Sequence, residues 1–161
     1  MKPLSILLFL IVVLLLPIIG TSSSTYSSGT ITVSGTGNTL NTVYTDVNNS
    51  GVLSKVENVY TLTANIVINS GASLVIDGAT LKFNEPSNNT YDIENSGTLN
   101  ISNAIITSST GKAWYVLNNN NGRMQMNNTD FSKCGADNIP CFKLGTSPQY
   151  GASTVWMDFD N

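Results

Sequence analysis

The sequence predicts an all-β solenoid, a fold in which short strands wind into stacked coils. Three observations support this prediction. Apolar residues recur at a period of 25 residues, they alternate with polar residues within each repeat, and each repeat contains a two-residue turn with Gly or Asn. Alternation is typical of β-strands, and a fixed repeat of about 20–50 residues is typical of solenoids. The chain has 161 residues, enough for one domain of ordinary size.

The first 24 residues predict an export signal. Lys2 precedes an apolar run from Leu4 to Leu16, and Pro17 and a small polar run follow it. This order is typical of a secretory signal peptide, and the apolar run is short for a spanning helix, which needs about 20 residues. An uncleaved N-terminal anchor is the alternative, and it would be the link to a membrane.

The next segment, residues 25–38, is rich in Ser, Thr and Gly, and this composition predicts a flexible linker. Residues 30–33 within it also have the composition of a short strand. We expect the folded domain to occupy residues 39–161.

A short helix is predicted at the start of the domain, over residues 39–47. Leu40, Val43 and Val47 recur there at helical spacing, and an Asn-Asn-Ser-Gly sequence ends the pattern. An open solenoid end exposes apolar side chains and unpaired strand edges. We therefore expect this helix to cover the first coil; an irregular loop whose apolar spacing arises by chance is the alternative.

The repeat lies in residues 71–81, 97–106 and 122–131. Aligned, these segments give four columns of apolar or small residues, each stepping by 25 residues. The columns are Leu74, Leu99 and Met124; Ile76, Ile101 and Met126; Ala79, Ala104 and Thr129; and Leu81, Ile106 and Phe131. Each inward side chain is expected to be covered by its equivalents one coil away, because a single coil cannot bury them alone.

A tight bend separates the second column from the third. The dipeptides there are Asp77-Gly78, Ser102-Asn103 and Asn127-Asn128. Gly and Asn tolerate the left-handed backbone conformation that a sharp bend requires. We also expect Asn103 and Asn128 to stack as an asparagine ladder.

A third strand per coil is expected before each repeat segment, which gives a triangular cross-section. Its inward residues are predicted to be Ile66 and Ile68, Tyr91 and Ile93, and Tyr115 and Leu117.

The segment from Tyr60 to Phe83, YTLTANIVINSGASLVIDGATLKF, resembles the first coil of right-handed parallel β-helix proteins of the pectin-lyase-like superfamily. The resemblance covers about residues 39–131. It implies a right-handed parallel β-helix of about three to four coils. It does not select a function, because this architecture serves lyases, hydrolases, epimerases, adhesins and viral spikes.

Cys134 and Cys141 flank a short loop that contains Gly135 and Pro140. A disulfide is the favoured prediction, since an oxidising compartment permits it, and two free thiols are the alternative. A metal site is disfavoured because no other Cys and no His is present to complete it. Beyond this loop, residues 151–159 alternate like a strand of a further coil.

Composition excludes several functions. The chain has no histidine, which removes the commonest general base and metal ligand, and its net charge is −3 without a basic cluster. Neither nucleic acid nor a cofactor or resident metal is expected. The carboxylates are scattered; Asp92 with Glu94 and Asp158 with Asp160 are the closest pairs, and each is a weak candidate for a cation site.

Four glycosylation sequons begin at Asn48, Asn88, Asn100 and Asn127. Asn88 is the best candidate, because it lies in a Pro-Ser-Asn-Asn loop.

Aromatic residues offer a platform for a carbohydrate, formed from Tyr91, Trp114, Tyr115 and Tyr150. The alternative, which we favour, places Tyr91 and Tyr115 in the core, because each lies two residues before a predicted inward residue.

These features predict a secreted or cell-surface, non-catalytic module with a structural or adhesive role. Cell-surface glycans or further β-helix chains are the expected partners. One alternative is the N-terminal part of a β-helix lyase, hydrolase or epimerase acting on carbohydrate, with its catalytic coils beyond residue 161. Another is a subunit that assembles with copies of itself.

Overall fold

The computed structural model describes residues 21–119, 121–136, 138–144 and 154–158. The helix, α1, is Leu40–Val47. The strands are β1 (Ser23–Ser27), β2 (Thr30–Ser34), β3 (Asn38–Thr39), β4 (Leu53–Val56), β5 (Val59–Leu62), β6 (Asn65–Ile68), β7 (Ser73–Asp77), β8 (Thr80–Phe83), β9 (Asp92–Asn95), β10 (Thr98–Ser108), β11 (Tyr115–Asn118), β12 (Arg123–Phe131), β13 (Phe142–Leu144) and β14 (Thr154–Asp158). Within these ranges no helix has the length and hydropathy needed to cross a membrane. Residues 1–20 of the predicted export signal lie outside them.

The strands stack as a solenoid of about 3 turns, which confirms the predicted fold class at this level. Face 1 consists of β2, β6, β9, β11 and β13, all paired in parallel. Face 2 consists of β3, β7, β14 and the first parts of β10 and β12. Face 3 consists of β5, β8 and the last parts of β10 and β12.

The strand register confirms the predicted columns. Leu99 pairs with Leu74 on one side and with Met124 on the other, and all three side chains are buried. The columns that contain Ile101 and Ile106 are aligned in the same way. Full burial of such a side chain stabilises the fold by about 1.5–3 kcal/mol, and here it depends on the adjacent coils.

The bend between faces 2 and 3 also has the predicted conformation. Gly78, Asn103 and Asn128 have positive φ angles of 59°, 48° and 45°. Asn128 Nδ2 donates to Asn103 Oδ1 at 2.9 Å, and Asn103 Nδ2 donates to Asp77 Oδ1 at 3.2 Å. The ladder therefore exists, and it begins at an aspartate.

Two glycines of the repeat are required by close backbone approach. A Cβ at Gly97 would lie 2.4 Å from the carbonyl oxygen of Ala72, and one at Gly122 would lie 2.3 Å from that of Asn95. Gly71 is not their equivalent, because the register places Ala72 opposite Gly97.

Two asparagines lie inside the solenoid, in the column that continues from Ile68. Asn95 Nδ2 donates to Asn118 Oδ1 at 2.6 Å, and Asn95 Oδ1 accepts from Gly97 N at 3.1 Å. Asn118 Nδ2 donates to the carbonyl oxygen of Gly122 at 2.9 Å. Burying an amide is costly unless it is hydrogen-bonded, and these bonds compensate that cost at the corner between faces 1 and 2.

The predicted inward residues of β11 are wrong. Trp114 and Val116 are buried, whereas Tyr115 and Leu117 are only half-buried on the outer side. The register explains this, since Val116 pairs with the buried Ile93. Because the Trp-Tyr-Val-Leu sequence is apolar throughout, its pattern did not distinguish the two sides.

The segment predicted as a linker, residues 25–38, contributes to the solenoid. Strand β2 pairs in parallel with β6, and Ile31 and Val33 are buried. Strand β1 pairs antiparallel with β2. The alternation of Ile31 and Val33 with threonine and serine is therefore that of a core strand rather than a spacer.

Helix α1 begins and ends with clear capping contacts. The Thr39 side chain accepts from Thr42 N, and Thr39 N donates to Thr42 Oγ1. At the other end Asn48 adopts a left-handed conformation, with φ 44°, and its backbone N–H donates to Tyr44 O. The buried side chains Leu40 and Val43 face the core, and the helix contacts β1 and β4. Strand β4 is antiparallel to β5.

The last described coil contains a disulfide between Cys134 and Cys141, as predicted. Its loop is joined to β11, because Val116 N donates to Cys141 O at 2.9 Å. Strand β14 pairs in parallel with the first part of β12, which agrees with the strand predicted within residues 151–159. Residues 151–153 and 159 lie outside the described ranges.

Candidate functional site

A groove opens where face 2 is incomplete. Strand β3 has only two residues, which pair with Leu74 and Val75 of β7. The chain then enters helix α1 at Leu40, so the rest of β7 has no β3 partner beside it. The space left is bounded by the helix start, by the β4–β5 hairpin and by the end of β7.

The groove has a volume of about 470 Å³, within the range of about 300–1,000 Å³ that small-molecule sites occupy. Its polar lining comes from Thr39, Asn41, Lys55, Asn58 and Asp77. These residues belong to β3, the helix, the hairpin and β7. The groove is therefore built by elements that the solenoid holds in fixed positions.

Lys55 supplies the positive charge of the groove. Its Nζ donates to Asn41 Oδ1 at 2.5 Å and lies 5.4 Å from the centroid of the Tyr60 ring. Both contacts act on the ammonium group, the first as a charge-assisted hydrogen bond and the second as a cation–π interaction. They direct Lys55 across the ring of the buried Tyr60.

Asp77 supplies the negative charge. Its Oδ1 accepts from Ser102 Oγ at 2.6 Å and from Asn103 Nδ2 at 3.2 Å. These hydrogen bonds, that of Ser102 first, lower the pKa of Asp77, which is consequently ionised at neutral pH. The asparagine ladder thus fixes the orientation of a solvent-exposed carboxylate that lines the groove.

The outer side of face 2 continues from the groove along the solenoid. Three outward columns run across β7, β10 and β12. They are Ser73, Thr98 and Arg123; Val75, Asn100 and Gln125; and Asp77, Ser102 and Asn127. Most of these side chains are uncharged hydrogen-bonding groups, and adjacent strands of a sheet are about 4.8 Å apart. The result is a regular polar surface.

A second group of polar side chains lies where the loop after β8 meets face 1. Glu85 is 1% exposed, and its carboxylate accepts from Thr90 N at 3.0 Å and from Tyr91 N at 3.1 Å. Burial raises the pKa of Glu85 to about 7, against the effect of these hydrogen bonds, and the nearby charge of Asp92 adds to the rise. The Glu85 carboxylate thus stabilises the loop after β8, in which it lies.

Asp92 follows this loop and is buried, although the alternation places it on the outer side of β9. Burial raises its pKa, the hydrogen bond from Tyr115 lowers it, and the charge of Glu94 raises it. The same surroundings, burial first, raise the pKa of Tyr115 to about 12. Asp92 Oδ1 has no hydrogen-bond partner among the described residues.

Within the described ranges no group of three His, Cys, Asp or Glu side chains has a geometry that could hold a metal ion. Asp92 and Glu94 are adjacent on face 1, but the Asp92 carboxylate already accepts a hydrogen bond from the Tyr115 hydroxyl. Asp158 is the last residue of β14, and Asp160 lies outside the described residues.

The predicted aromatic platform is not assembled from the residues that the structure describes. Trp114 is fully buried, Tyr91 packs partly against the core, and Tyr115 lies on the outer side of face 1. Tyr150 lies outside the described residues.

The four sequons occupy different environments. Asn48 and Asn88 are exposed, at the end of α1 and in the loop after β8. Asn127 is exposed on β12, and Asn100 is half-buried on β10, both on the outer side of face 2. Ala113 N donates to the Asn88 side-chain oxygen at 3.0 Å. Glycosylation at these asparagines stays a prediction.

The groove residues were missed by the sequence reasoning. Asn41 lies in α1, whereas Lys55 and Asn58 lie in the β4–β5 hairpin, and nothing in their spacing indicates that they meet. The signal that would have revealed them is the two-residue length of β3 followed immediately by the helix start, which predicts a gap beside β7.

Comparison with known proteins adds no assignment: no protein-family model matches the chain, and neither a curated protein nor a solved structure matches it.

Proposed function

We propose that this chain is an exported, non-catalytic β-helix module that binds carbohydrate on its surface in a structural or adhesive role. The observation that carries the proposal is the outer side of face 2, where six neutral polar side chains lie in register on three strands. They are Ser73, Thr98, Asn100, Ser102, Gln125 and Asn127. Sugar hydroxyls donate and accept hydrogen bonds, as these groups do.

The number of hydrogen-bonding groups on face 2 favours a polymeric ligand. One exposed hydrogen bond contributes only about 0.5–1.5 kcal/mol. A surface with repeated groups gains affinity by engaging several sugar residues of one polymer at once. Polysaccharides or glycans displayed on cells are therefore better partners for face 2 than free monosaccharides.

The finer fold assignment is part of this proposal. We take the solenoid to be right-handed and related to the pectin-lyase-like superfamily, with α1 as the cap of its first coil. The parallel coils of about 25 residues and the burial of Leu40 and Val43 support this assignment. The antiparallel pairing of β1 with β2 and of β4 with β5 supports the capping role, since it ends the parallel stacking.

The contacts of three carboxylates support the non-catalytic assignment. Asp77 begins the asparagine ladder, Glu85 binds two backbone N–H groups of its loop, and Asp92 interacts with Tyr115. Each of these contacts has a structural explanation. The disulfide and the apolar N-terminal segment support export to the cell surface or beyond.

The test begins with the full gene expressed in a secreting host that does not glycosylate asparagine. We expect the exported chain to begin near residues 21–25 and to bind at least one immobilised polysaccharide. The double variant Asn100→Ala/Gln125→Ala on face 2 should weaken binding about tenfold. The matched variant Thr61→Ala/Thr107→Ala alters face 3 and should leave binding unchanged.

Two results would overturn the proposal. One is an absence of binding to any polysaccharide or cell surface in the panel. The other is release of reducing ends or unsaturated sugars from a bound polymer, which would establish an enzyme instead.

A further inference from the structure

We infer that the groove between α1, the β4–β5 hairpin and β7 is a binding site for a single neutral sugar residue, held between Lys55 and Asp77. This inference rests on the proposed function and names the position on the surface at which one residue of the carbohydrate is recognised. The observations that carry it are the volume of the groove, its two fixed charges and its amide side chains.

The two charges of the groove are held separately. Lys55 has Asn41 and the Tyr60 ring as its partners. Asp77 has Ser102 and Asn103. Each charge is thus positioned by its own set of neutral groups, and a ligand placed between them meets a donor on one wall and an acceptor on the other. Such positioning reduces the entropy lost when a ligand binds.

The solvent exposure of the two charged side chains favours a neutral ligand. Asp77 is exposed and Lys55 is half-buried, so both charges stay hydrated in the unbound protein. Ion pairs between exposed groups contribute only about 0–1 kcal/mol, and salt screens them further. A charged ligand would therefore gain little from either residue. A hydroxyl group loses less hydration on binding, and it forms charge-assisted hydrogen bonds to an ammonium or a carboxylate.

The remaining lining fits the same chemistry. The side chains of Asn41, Asn58 and Thr39 each have a donor and an acceptor, which suits hydroxyl groups in several orientations. Val75 and Ala79 provide a small apolar area for the carbon skeleton of a ring. Because the groove opens onto face 2 at Asp77, a polymer bound along that face would place a residue in it.

The experiment measures amide chemical shifts of the full exported chain during titration with glucose, galactose, mannose or N-acetylglucosamine up to about 20 mM. We expect at least one sugar to shift the signals of Thr39, Asn58 and Gly78. Lys55→Met and Asp77→Asn should each weaken that binding at least tenfold. The matched variants Lys82→Met and Asp130→Gln, on face 3, should leave it unchanged.

The salt dependence separates the ligand classes. Binding of a neutral sugar should change less than twofold between 50 and 500 mM NaCl. A groove that binds glycine or another zwitterion, and no sugar, would overturn the inference, as would sugar-induced shifts confined to residues outside the groove.

The two assays distinguish failure of the groove inference from failure of the proposed function. If polysaccharide binding depends on Asn100 and Gln125 but not on Lys55 and Asp77, the groove inference is wrong and the proposed function stands. If no carbohydrate binds in either assay, both are wrong.

Discussion

The indole ring of Trp114 lies parallel to the ring of Phe83, with 4.8 Å between the ring centroids and 8° between the planes. Trp114 also packs near Phe131, at 6.1 Å between centroids, and its Nε1 donates to Ser132 O at 3.1 Å. An aromatic stack thus crosses three consecutive coils on the inside of the solenoid, and its polar atom is hydrogen-bonded.

Replacing this central ring should be strongly destabilising. We expect Trp114→Ala to lower the free energy of unfolding by about 3–5 kcal/mol, because the cavity cannot be filled by neighbours fixed in other coils. Urea unfolding followed by far-ultraviolet circular dichroism measures this change. Leu117→Ala, on the outer side of the adjacent strand β11, should cost less than about 1 kcal/mol. If Leu117→Ala were more destabilising than Trp114→Ala, the register in which Tyr115 and Leu117 face inward would be the correct one.

Gly122 is required by its neighbours rather than by its own backbone angles. Gly122→Ala would place a Cβ 2.3 Å from Asn95 O and 2.5 Å from Asn118 Oδ1, so the backbone must shift. We expect a loss of about 3 kcal/mol in thermal or urea unfolding. Gly71→Asp is the control, since Gly71 has a positive φ of 78° and a Cβ there would have no described atom within 4 Å, and Asp tolerates that conformation. Equal stability of the two variants would contradict this explanation.

The buried side chains of Asn95 and Asn118 should stabilise the fold through their hydrogen bonds. Asn95→Leu removes the acceptor of Gly97 N and the donor to Asn118 and Arg123 O. Unsatisfied buried groups cost about 1–3 kcal/mol each, so we expect a loss of at least about 2 kcal/mol despite the gain in apolar surface. Asn69→Ala, at an exposed position bonded to Ser34 Oγ, should change the stability by less than about 0.5 kcal/mol. An Asn95→Leu variant as stable as the native chain would refute the structural role of this pair.

Stability should also depend on pH through Glu85. Its pKa is about 7 in the folded chain and 4.5 in the unfolded chain, so the folded state holds the proton more tightly. The resulting stabilisation is fully present below pH 4.5 and is lost as the pH rises to about 7. Glu85→Gln keeps one oxygen for Thr90 N and Tyr91 N and cannot ionise, so it should be more stable than the native chain above pH 7.

The control for this experiment is Asp130→Gln, which alters an exposed carboxylate on face 3. It should leave the slope of stability against pH between 4.5 and 7 unchanged. The Glu85→Gln variant should keep only a smaller slope, since burial also raises the pKa of Asp92. If Glu85→Gln retained the full native slope, another group would be responsible.

The repeat made much of the fold predictable. Leu74, Leu99 and Met124 were placed correctly because hydrophobic burial between similar coils demands a constant step. The bend at Asn103 and Asn128 was equally clear, because few residues accept a left-handed backbone. The disulfide followed from two cysteines close in sequence.

Other parts were not visible to pattern analysis. Polar residues such as Asn95 and Glu85 are buried through hydrogen bonds to specific backbone groups, which composition does not reveal. Residues 25–38 have the composition of a spacer, yet Ile31 and Val33 complete the core through pairing with β6. The groove depends on where β3 stops, and element boundaries are the least certain part of any sequence-based prediction.

The uninterrupted course of β10 around a corner has a consequence for how such a chain can change in length. Residues 98–108 pair with β7 and β8 on one side and with β12 on the other, always at the same 25-residue offset. Duplication of the 25 codons of one repeat in this region would add one layer that presents the same contacts above and below, lengthening the rod by about 4.8 Å. Recombination within the gene can therefore extend the molecule stepwise without disturbing either end.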